Sequence, residues 1–275
     1  MMLQQPEGLA DWLAFLGRAD IPVLQHTART LARLQDDEKQ FNARSVADVV
    51  TDDPLMTLKL LRYMQTHKHR NQSYELVDVK QALLMMGLDA FFRDVPAMPL
   101  VETLLTGQRG ALVRLLHTVR RAQRAAYYAF DWALRQHDLH AEEVQVSALL
   151  THVAEMLMWC FSPARMIEIE RMQAADAALR SADAQQQVLG FPLADLQREL
   201  TVAWGLPELL VNLADPAHRH TSRVRTITLA VNLARHSAHG WDDAALPDDF
   251  EDIAALLHMD VAKVMALVKA GPAVG

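Results

Sequence analysis

The stretch that decides the fold is residues 53–66, which read DPLMTLKLLRYMQT. Asp53 has a short acceptor side chain that can cap a helix, and Pro54 fits the first helical position, where no backbone donor is needed. Leucines then recur on adjoining sides of the predicted helix at Leu55, Leu58, Leu60 and Leu61. The stretch therefore predicts a helix that begins at Pro54 and packs against other elements through its leucines.

The rest of the chain also has helical periodicity. Residues 76–91 read LVDVKQALLMMGLDAF, in which apolar residues at helical spacing precede Gly87, a residue type common at helix ends. Longer helices are predicted over about 110–136 and about 141–160, and a connecting helix over about 170–190. No stretch alternates apolar and polar residues for long enough to indicate a sheet, and the 275 residues include only 10 glycines. The sequence predicts an all-α protein.

Composition excludes several classes of protein. Hydrophobic residues make up 51% and charged residues 22% of the chain, which is typical of a globular fold with a core. The net charge of -7 argues against nucleic-acid binding, because nucleic-acid-binding proteins are usually basic. No apolar run approaches the roughly 18 residues of a membrane span, and no secretory signal is visible. The single cysteine, Cys160, cannot form an internal disulfide, so we expect a cytoplasmic location and a buried, inert thiol.

Motifs for catalysis or phosphate binding are not found in the sequence. It contains no P-loop, no Gly-x-Gly-x-x-Gly and no Gly-x-Ser-x-Gly, so no catalytic residue, cofactor or metal is predicted. The predicted helix over 110–136 carries arginines opposite its apolar stripe, at Arg114, Arg120, Arg121 and Arg124. We expect these arginines to form a solvated surface, with a docking surface for an acidic partner as the alternative.

Several stretches occur in the same order as in a known family. Besides residues 53–66 and 76–91, they are IPVLQHTARTLARL at 21–34, LLHTVRRA at 115–122, SALLTHVAEM at 147–156 and VAWGLPELL at 202–210. Together they resemble the HDOD family, the HD-related output domain of bacterial signalling proteins, over residues 21–235. The positions that carry the resemblance most specifically are Asp53, Pro54, Gly87, Trp204 and Pro207. The chain departs from the family at residues 65–66, where Gln-Thr replaces the usual Asn-Ser.

The resemblance implies an HD-domain-like multi-helix bundle with an N-terminal helical subdomain. HDOD domains resemble the metal-dependent phosphohydrolases of the HD superfamily, whose active members carry a histidine, a later His-Asp pair and a distal aspartate. The stretch that matches the pair here ends in Thr151-His152, so both members of the pair are replaced. The upstream histidine matches His117, and Asn232 is the nearest candidate for the distal aspartate.

These replacements predict a degenerate site without catalytic activity. A threonine hydroxyl and an asparagine amide are poor ligands for divalent metals, and a bound metal needs three or four protein ligands. The four residues then become candidates for a vestigial pocket: His117, Thr151, His152 and Asn232. For His152, we expect a core histidine, with a residue that lines a ligand pocket as the alternative.

The resemblance implies a non-catalytic regulatory or interaction module in bacterial signal transduction. We expect an N-terminal helical segment at residues 1–20, an HDOD-like domain at 21–235 and a C-terminal helical extension at 236–275 packed on the same domain. Since no further signalling domain is predicted, the expected partners are other signalling proteins in trans, and neither nucleic acid nor a membrane. The alternatives are a small-molecule or nucleotide sensor that uses the vestigial cavity and a divergent metal-dependent phosphohydrolase.

Overall fold

The computed structural model describes residues 6–37, 39, 41–67, 78–176 and 178–271. Within these ranges the chain is helical, and its only β-structure is an isolated parallel bridge between Val23 and Leu100. The helices are, in chain order, α1 (Gly8–Arg18), α2 (Gln25–Asp36), α3 (Ala43–Asp52), α4 (Pro54–Thr66), α5 (Val79–Met86), α6 (Leu88–Asp94), α7 (Val101–Leu104), α8 (Arg109–Arg135), α9 (Ala141–Leu150), α10 (Val153–Phe161), α11 (Pro163–Ala175), α12 (Ser181–Leu189), α13 (Leu193–Ala203), α14 (Glu208–Ala214), α15 (Ser222–His236), α16 (Leu246–Leu257) and α17 (Val261–Lys269), with a 3-10 turn at Ser237–His239. The prediction of an all-α multi-helix bundle is confirmed.

Helix α8 is the central element of the bundle, and it matches the helix predicted over 110–136. Its buried sides carry small side chains, including Ala122, Ala126 and Ala129, and α9, α10 and α15 pack against them. Helix α9 in turn contacts α4, α14 and α15 as well as α8, so it is buried on nearly all sides. Residues 146–150 are all buried, and apart from Ser147 they are apolar, as expected for a helix segment with neighbours on most sides.

The segment Ala141–Phe161, which contains α9 and α10, is long and apolar enough to cross a membrane by length and composition, and no other described segment is. In its most apolar window, 72% of the segment is buried inside the fold. Its apolar character follows from its position in the core.

Asp53 and Pro54 begin α4 as predicted. One carboxylate oxygen, Oδ1, accepts hydrogen bonds from the backbone N–H groups of Leu55 (2.9 Å) and Met56 (3.2 Å). The other, Oδ2, accepts from the N–H of Leu24 (3.0 Å), the residue that precedes α2. Asp53 is buried, and its single carboxylate therefore joins the beginnings of two helices.

Gly87 ends α5, which confirms the predicted stop. Its N–H donates to the carbonyl of Leu83 (2.9 Å), and its φ of +81° is a backbone conformation that L side chains rarely adopt. The first residues of the stretch 76–91 lie outside the described residues.

Two of the predicted helices are each divided in the structure. The prediction of one connecting helix over 170–190 is wrong, because α11 ends at Ala175 and α12 begins at Ser181. The prediction of one helix over 141–160 is wrong as well, because α9 ends at Leu150, His152 leaves helical geometry and α10 begins at Val153.

The C-terminal helices pack onto the same bundle. Helix α16 contacts α15, and α17 contacts α16. The hydroxyl of Tyr128 on α8 also donates to the carbonyl of Val268 on α17 (3.0 Å), which links the end of the chain to the central helix.

Candidate functional site

The break between α9 and α10 falls at Thr151 and His152, the two residues that the family resemblance aligns with the His-Asp pair. The hydroxyl of Thr151 donates to the carbonyl of Ser147 (3.0 Å), four residues earlier, a contact that competes with regular helix geometry. The N–H of Thr151 reaches the carbonyl of Ala148 (3.4 Å), three residues earlier, and His152 has φ -116° and ψ 25°. These dihedral angles lie outside the α-helical region, so α10 starts anew at Val153.

A side chain from a distant helix closes this break. Gln197 on α13 accepts a hydrogen bond from the N–H of Ala154 (3.0 Å) through Oε1 and donates through Nε2 to the carbonyl of Leu150 (3.1 Å). One amide thus satisfies a carbonyl at the end of α9 and an N–H at the start of α10, two groups that a helix terminus leaves without helical partners. Sequence reasoning missed Gln197, because no local signal connects it to residues more than forty positions earlier.

His152 is half-buried beside three charged side chains. Burial lowers the pKa of the imidazole, because a poorly solvated environment favours the neutral form. Glu155 opposes this shift, whereas the positive charges of Arg121 and Arg235 lower the pKa further. The charged surroundings of His152 are therefore mixed, with one carboxylate and two guanidinium groups, and burial is the main cause of the shift.

The lowered pKa predicts a pH-dependent contribution of His152 to stability. In the unfolded chain the ring binds a proton below about pH 6.5, whereas the folded state resists protonation, so the unfolded state binds more protons. Above the pKa of the unfolded chain, the neutral His152 makes its full contribution to the free energy of unfolding. This contribution is lost as the pH falls from the unfolded pKa toward the lowered pKa of the folded state. For one group the slope of the unfolding free energy is at most about 1.4 kcal/mol per pH unit.

Urea unfolding between about pH 7.5 and pH 5 tests this expectation. We expect His152→Gln to reduce the loss of stability at acidic pH. The matched control is His117→Gln, since His117 is exposed on α8. Equal pH dependence in wild type and His152→Gln would contradict the assignment.

The four candidate pocket residues do not come together in one pocket. Thr151 and His152 line a cavity of about 720 Å³, here called the His152 cavity. His117 lines an adjoining cavity of about 800 Å³ along α8, here called the His117 cavity. The two cavities share five lining residues, Arg121, Glu155, Trp159, Glu170 and Arg235. Asn232 lines neither cavity, and its Oδ1 accepts from the Arg235 guanidinium (3.4 Å).

The arginines of α8 differ from the solvated surface predicted for them. Arg114 and Arg120 are exposed, but Arg124 is buried and donates to the carbonyl (3.3 Å) and hydroxyl (2.9 Å) of Ser237. Arg121 is half-buried and pairs with Glu155 (3.2 Å). The periodicity placed these residues opposite the apolar stripe, but α10, α11 and the region around Ser237 close over that side of the helix.

The other residues that carry the family resemblance hold α4 and α13 together. The guanidinium of Arg62 on α4 lies over the ring of Trp204, 5.2 Å from its centroid. Gly205 has φ +55°, and a side chain there would meet Gln65 at 3.3 Å. Pro207 is buried immediately before α14. Gln65, one of the two departures from the family pattern, therefore packs against the Trp204 segment.

A divalent metal of the kind used by the active HD enzymes does not fit these residues. Among the described residues, no group of three histidine, cysteine, aspartate or glutamate side chains is placed to hold a metal ion. The Thr151 hydroxyl is engaged by Ser147, and two guanidinium groups add positive charge near His152. Cys160 is buried as predicted, and burial raises the pKa of its thiol, which removes it as a nucleophile at neutral pH.

Solved structures from two bacteria share this fold over most of their length. The MmoQ response regulator of Methylococcus capsulatus str. Bath has a TM-score of 0.70 and 19% identity, with 90% of this chain and 98% of that chain covered. A virulence factor of Campylobacter jejuni subsp. jejuni has a TM-score of 0.69 and 17% identity, with 94% of each chain covered. At these identities the likeness concerns the fold alone. A comparison with curated proteins found no match.

A match to a family model extends the likeness from the fold to the sequence. The model described as the HDOD domain matches residues 21–220, a range that includes the Asp53-Pro54 start of α4, Gly87, the break at Thr151-His152 and the Trp204 segment. This range covers well over half of the chain, and the resemblance inferred from the sequence motifs is confirmed. The chain belongs to the HDOD domain family.

Proposed function

We propose that this protein is a non-catalytic regulatory module of signal transduction that acts on other signalling proteins in trans. The observation that carries the proposal is the state of the former His-Asp position. Thr151 and His152 occupy a helix break, the Thr151 hydroxyl donates to the carbonyl of Ser147, and Glu155, Arg121 and Arg235 are the charged groups beside His152. Neither a threonine hydroxyl nor an asparagine amide is a good ligand for a divalent cation, whereas hydrolysis in the HD enzymes depends on bound metal.

The fold relatives support a regulatory role by their names. One is a response regulator and another a virulence factor, and both match this chain over nearly their full length. The family match also supports a regulatory role, because HDOD domains are output domains of signalling proteins. For this chain we infer a cytoplasmic bacterial protein that transmits a signal through binding.

We expect purified protein to lack stoichiometric metal and phosphohydrolase activity. The test is elemental analysis of protein prepared without chelator or affinity tag, followed by assays with chromogenic phosphate mono- and diesters in the presence of manganese, nickel or magnesium. Activity should equal that of a buffer control, because the residues needed to bind the metal are replaced.

The matched variant for this assay is His117→Ala, which removes the one retained histidine of the HD pattern. Activity in wild type that disappears in His117→Ala, together with about one equivalent of bound metal, would overturn the proposal and support the divergent phosphohydrolase. Activity that is equal in both proteins would indicate a contaminating phosphatase, and the proposal would stand.

A second candidate function, a small-molecule sensor, is favoured by the shape of the α8 surface. Instead of a flat arginine surface suited to a protein partner, the helix borders a cavity of about 800 Å³ that is partly open to solvent. Ligand pockets in proteins typically measure about 300–1,000 Å³. The regulatory module would then receive its signal as a bound ligand.

A further inference from the structure

We propose that the His117 cavity binds a nucleotide that carries at least two phosphate groups. The inference deepens the proposed regulatory role and rests on it in one respect: the ligand is bound without being hydrolysed. It is carried by the charge of the cavity, by the position of its donors and by an aromatic side chain in its wall.

The cavity has an excess of positive charge in a protein whose net charge is -7. Five guanidinium groups line it, from Arg114, Arg120, Arg121, Arg124 and Arg235, against the three carboxylates of Asp52, Glu155 and Glu170. His117 and His239 add further possible donors. A concave surface with one dominant sign of charge focuses the field and attracts ligands of the opposite sign.

Two of the carboxylates are already paired within the protein. Glu170 contacts Arg114 (3.1 Å), and Glu155 contacts Arg121 (3.2 Å). Arg235 contacts the Asn232 amide (3.4 Å) and the His236 ring (3.0 Å), and no carboxylate of the described residues lies within ion-pair distance of it. Arg235 is also exposed, so its charge is available to an anion that enters the cavity.

Three buried N–H donors in the wall of this cavity lack acceptors among the described residues. They are the indole N–H of Trp159 and the Nε–H groups of Arg121 and Arg124. Trp159 is only 2% exposed and Arg124 only 8% exposed. A buried donor without an acceptor costs free energy, and buried polar groups in proteins almost always have partners. Three donors without acceptors in one wall point to a ligand rich in acceptor oxygens.

The arginine donors of the cavity come from two helices. Arg114 and Arg121 are two turns apart on α8, about 10 Å along the helix axis, and Arg235 extends from α15. The spacing of Arg114 and Arg121 along the axis exceeds the width of one phosphate group. One guanidinium group can donate two parallel hydrogen bonds to the oxygens of one phosphate group. Arginines at this separation therefore fit a ligand with two or more phosphate groups.

An aromatic wall adds the preference for a base. Trp159 on α10 lines both cavities, and Tyr127 on α8 lies at the edge of the His117 cavity and is 47% exposed. Base stacking on the exposed ring of Tyr127 would contribute about 1–3 kcal/mol. The buried indole of Trp159 has no free face for stacking, and it offers its N–H as a donor to a ring nitrogen or carbonyl. A linear nucleoside diphosphate or triphosphate and a cyclic dinucleotide share this chemistry.

Isothermal titration calorimetry on the full chain tests the inference. The probes are GDP, GTP, ADP, ATP, cyclic di-GMP and cyclic di-AMP, with pyrophosphate and the free nucleosides as partial ligands. We expect at least one nucleotide to bind more tightly than pyrophosphate and any free nucleoside, and its binding to weaken with salt. Whether a linear nucleotide or a cyclic dinucleotide binds most tightly decides between these two classes of ligand.

Three variants locate the site. Arg235→Gln should weaken binding about tenfold or more, because it removes a charge-assisted contact. Trp159→Phe keeps an aromatic ring and removes the indole N–H, and it should weaken binding by a smaller factor. The matched control is Arg171→Gln, since Arg171 is exposed on α11 and lines neither cavity, and it should bind like wild type.

The outcomes separate this inference from the proposed function. Absence of binding by every nucleotide at about 1 mM, or equal affinity in wild type and Arg235→Gln, would overturn the inference and leave the non-catalytic role intact. Chromatography of the titrated sample shows whether a bound nucleotide has been converted to another compound. Such conversion would overturn the non-catalytic role. Binding without conversion that is lost in Arg235→Gln supports both.

Discussion

Asp53→Ala should destabilise the protein by about 4 kcal/mol, one of the largest effects of any single polar substitution in this chain. The aspartate is 1% exposed and accepts hydrogen bonds from the N–H groups of Leu24, Leu55 and Met56. Removing the carboxylate leaves three buried donors without a partner and opens a small cavity. Loss of a helix cap alone costs about 1 kcal/mol, and each hydrogen bond to a charged group contributes about 1.5–3 kcal/mol.

Asp53→Asn separates the two roles of this carboxylate. Its amide oxygen can still cap α4 at Leu55 and Met56, but its NH₂ group would face the N–H of Leu24, which needs an acceptor. We expect an intermediate loss of stability, about half that of Asp53→Ala. Urea denaturation followed by circular dichroism at 222 nm measures both variants. A loss below about 1 kcal/mol in Asp53→Ala would show that the carboxylate does not join α2 to α4.

Arg124→Met is the second substitution for which we expect a large effect, a loss of about 2–3 kcal/mol. The guanidinium donates to the carbonyl and hydroxyl of Ser237, which is fully buried, and lies over the rings of Tyr128 (5.9 Å) and Trp241 (6.0 Å). Methionine fills part of the volume of the stem but leaves the Ser237 carbonyl without this donor. The link between α8 and the start of the C-terminal region would then be lost.

Arg114→Met is the matched control for Arg124→Met. Arg114 lies on the same helix and pairs with Glu170 at 3.1 Å, but the two side chains are 51% and 38% exposed. Exposed ion pairs contribute about 0–1 kcal/mol, so this variant should unfold close to the wild-type midpoint. Equal destabilisation by the two variants would contradict the buried role of Arg124 and indicate a general effect of arginine loss on α8.

Local signals in the sequence were sufficient for the elements that depend on local physics. The Asp53-Pro54 start and the Gly87 stop each combine a side-chain or backbone preference with neighbours a few residues away, and both were predicted correctly. The extent of α8 followed from its periodicity, to within one residue at each end. The family resemblance rests on the same local motifs, which is why it could be identified before the structure.

The site depended on contacts that no local pattern contains. The break at Thr151-His152 is closed by Gln197 on α13, and Arg124 is buried because Ser237 and Trp241 come from more than one hundred residues later. A helical wheel gives the direction of a side chain, but it does not show which other part of the chain packs against that side of the helix. For the same reason, the sequence named His117 and His152 as candidates for one pocket without determining whether they face it together, and the structure places them in two adjoining cavities.

The hydrogen bonds that Asp53 accepts from the beginnings of two helices have a consequence for the evolution of this fold. The N-terminal ends of α2 and α4 both carry the partial positive charge of a helix dipole, and both are directed at the same buried anion. Neither dipole involves the residues that line the His152 or His117 cavity. The architecture therefore has an internal counter-ion of its own, and the ligand sets of the cavities can change without disturbing it. A sequence match to the family that depends on this aspartate therefore identifies the scaffold, whereas the chemistry of the cavities depends on other residues.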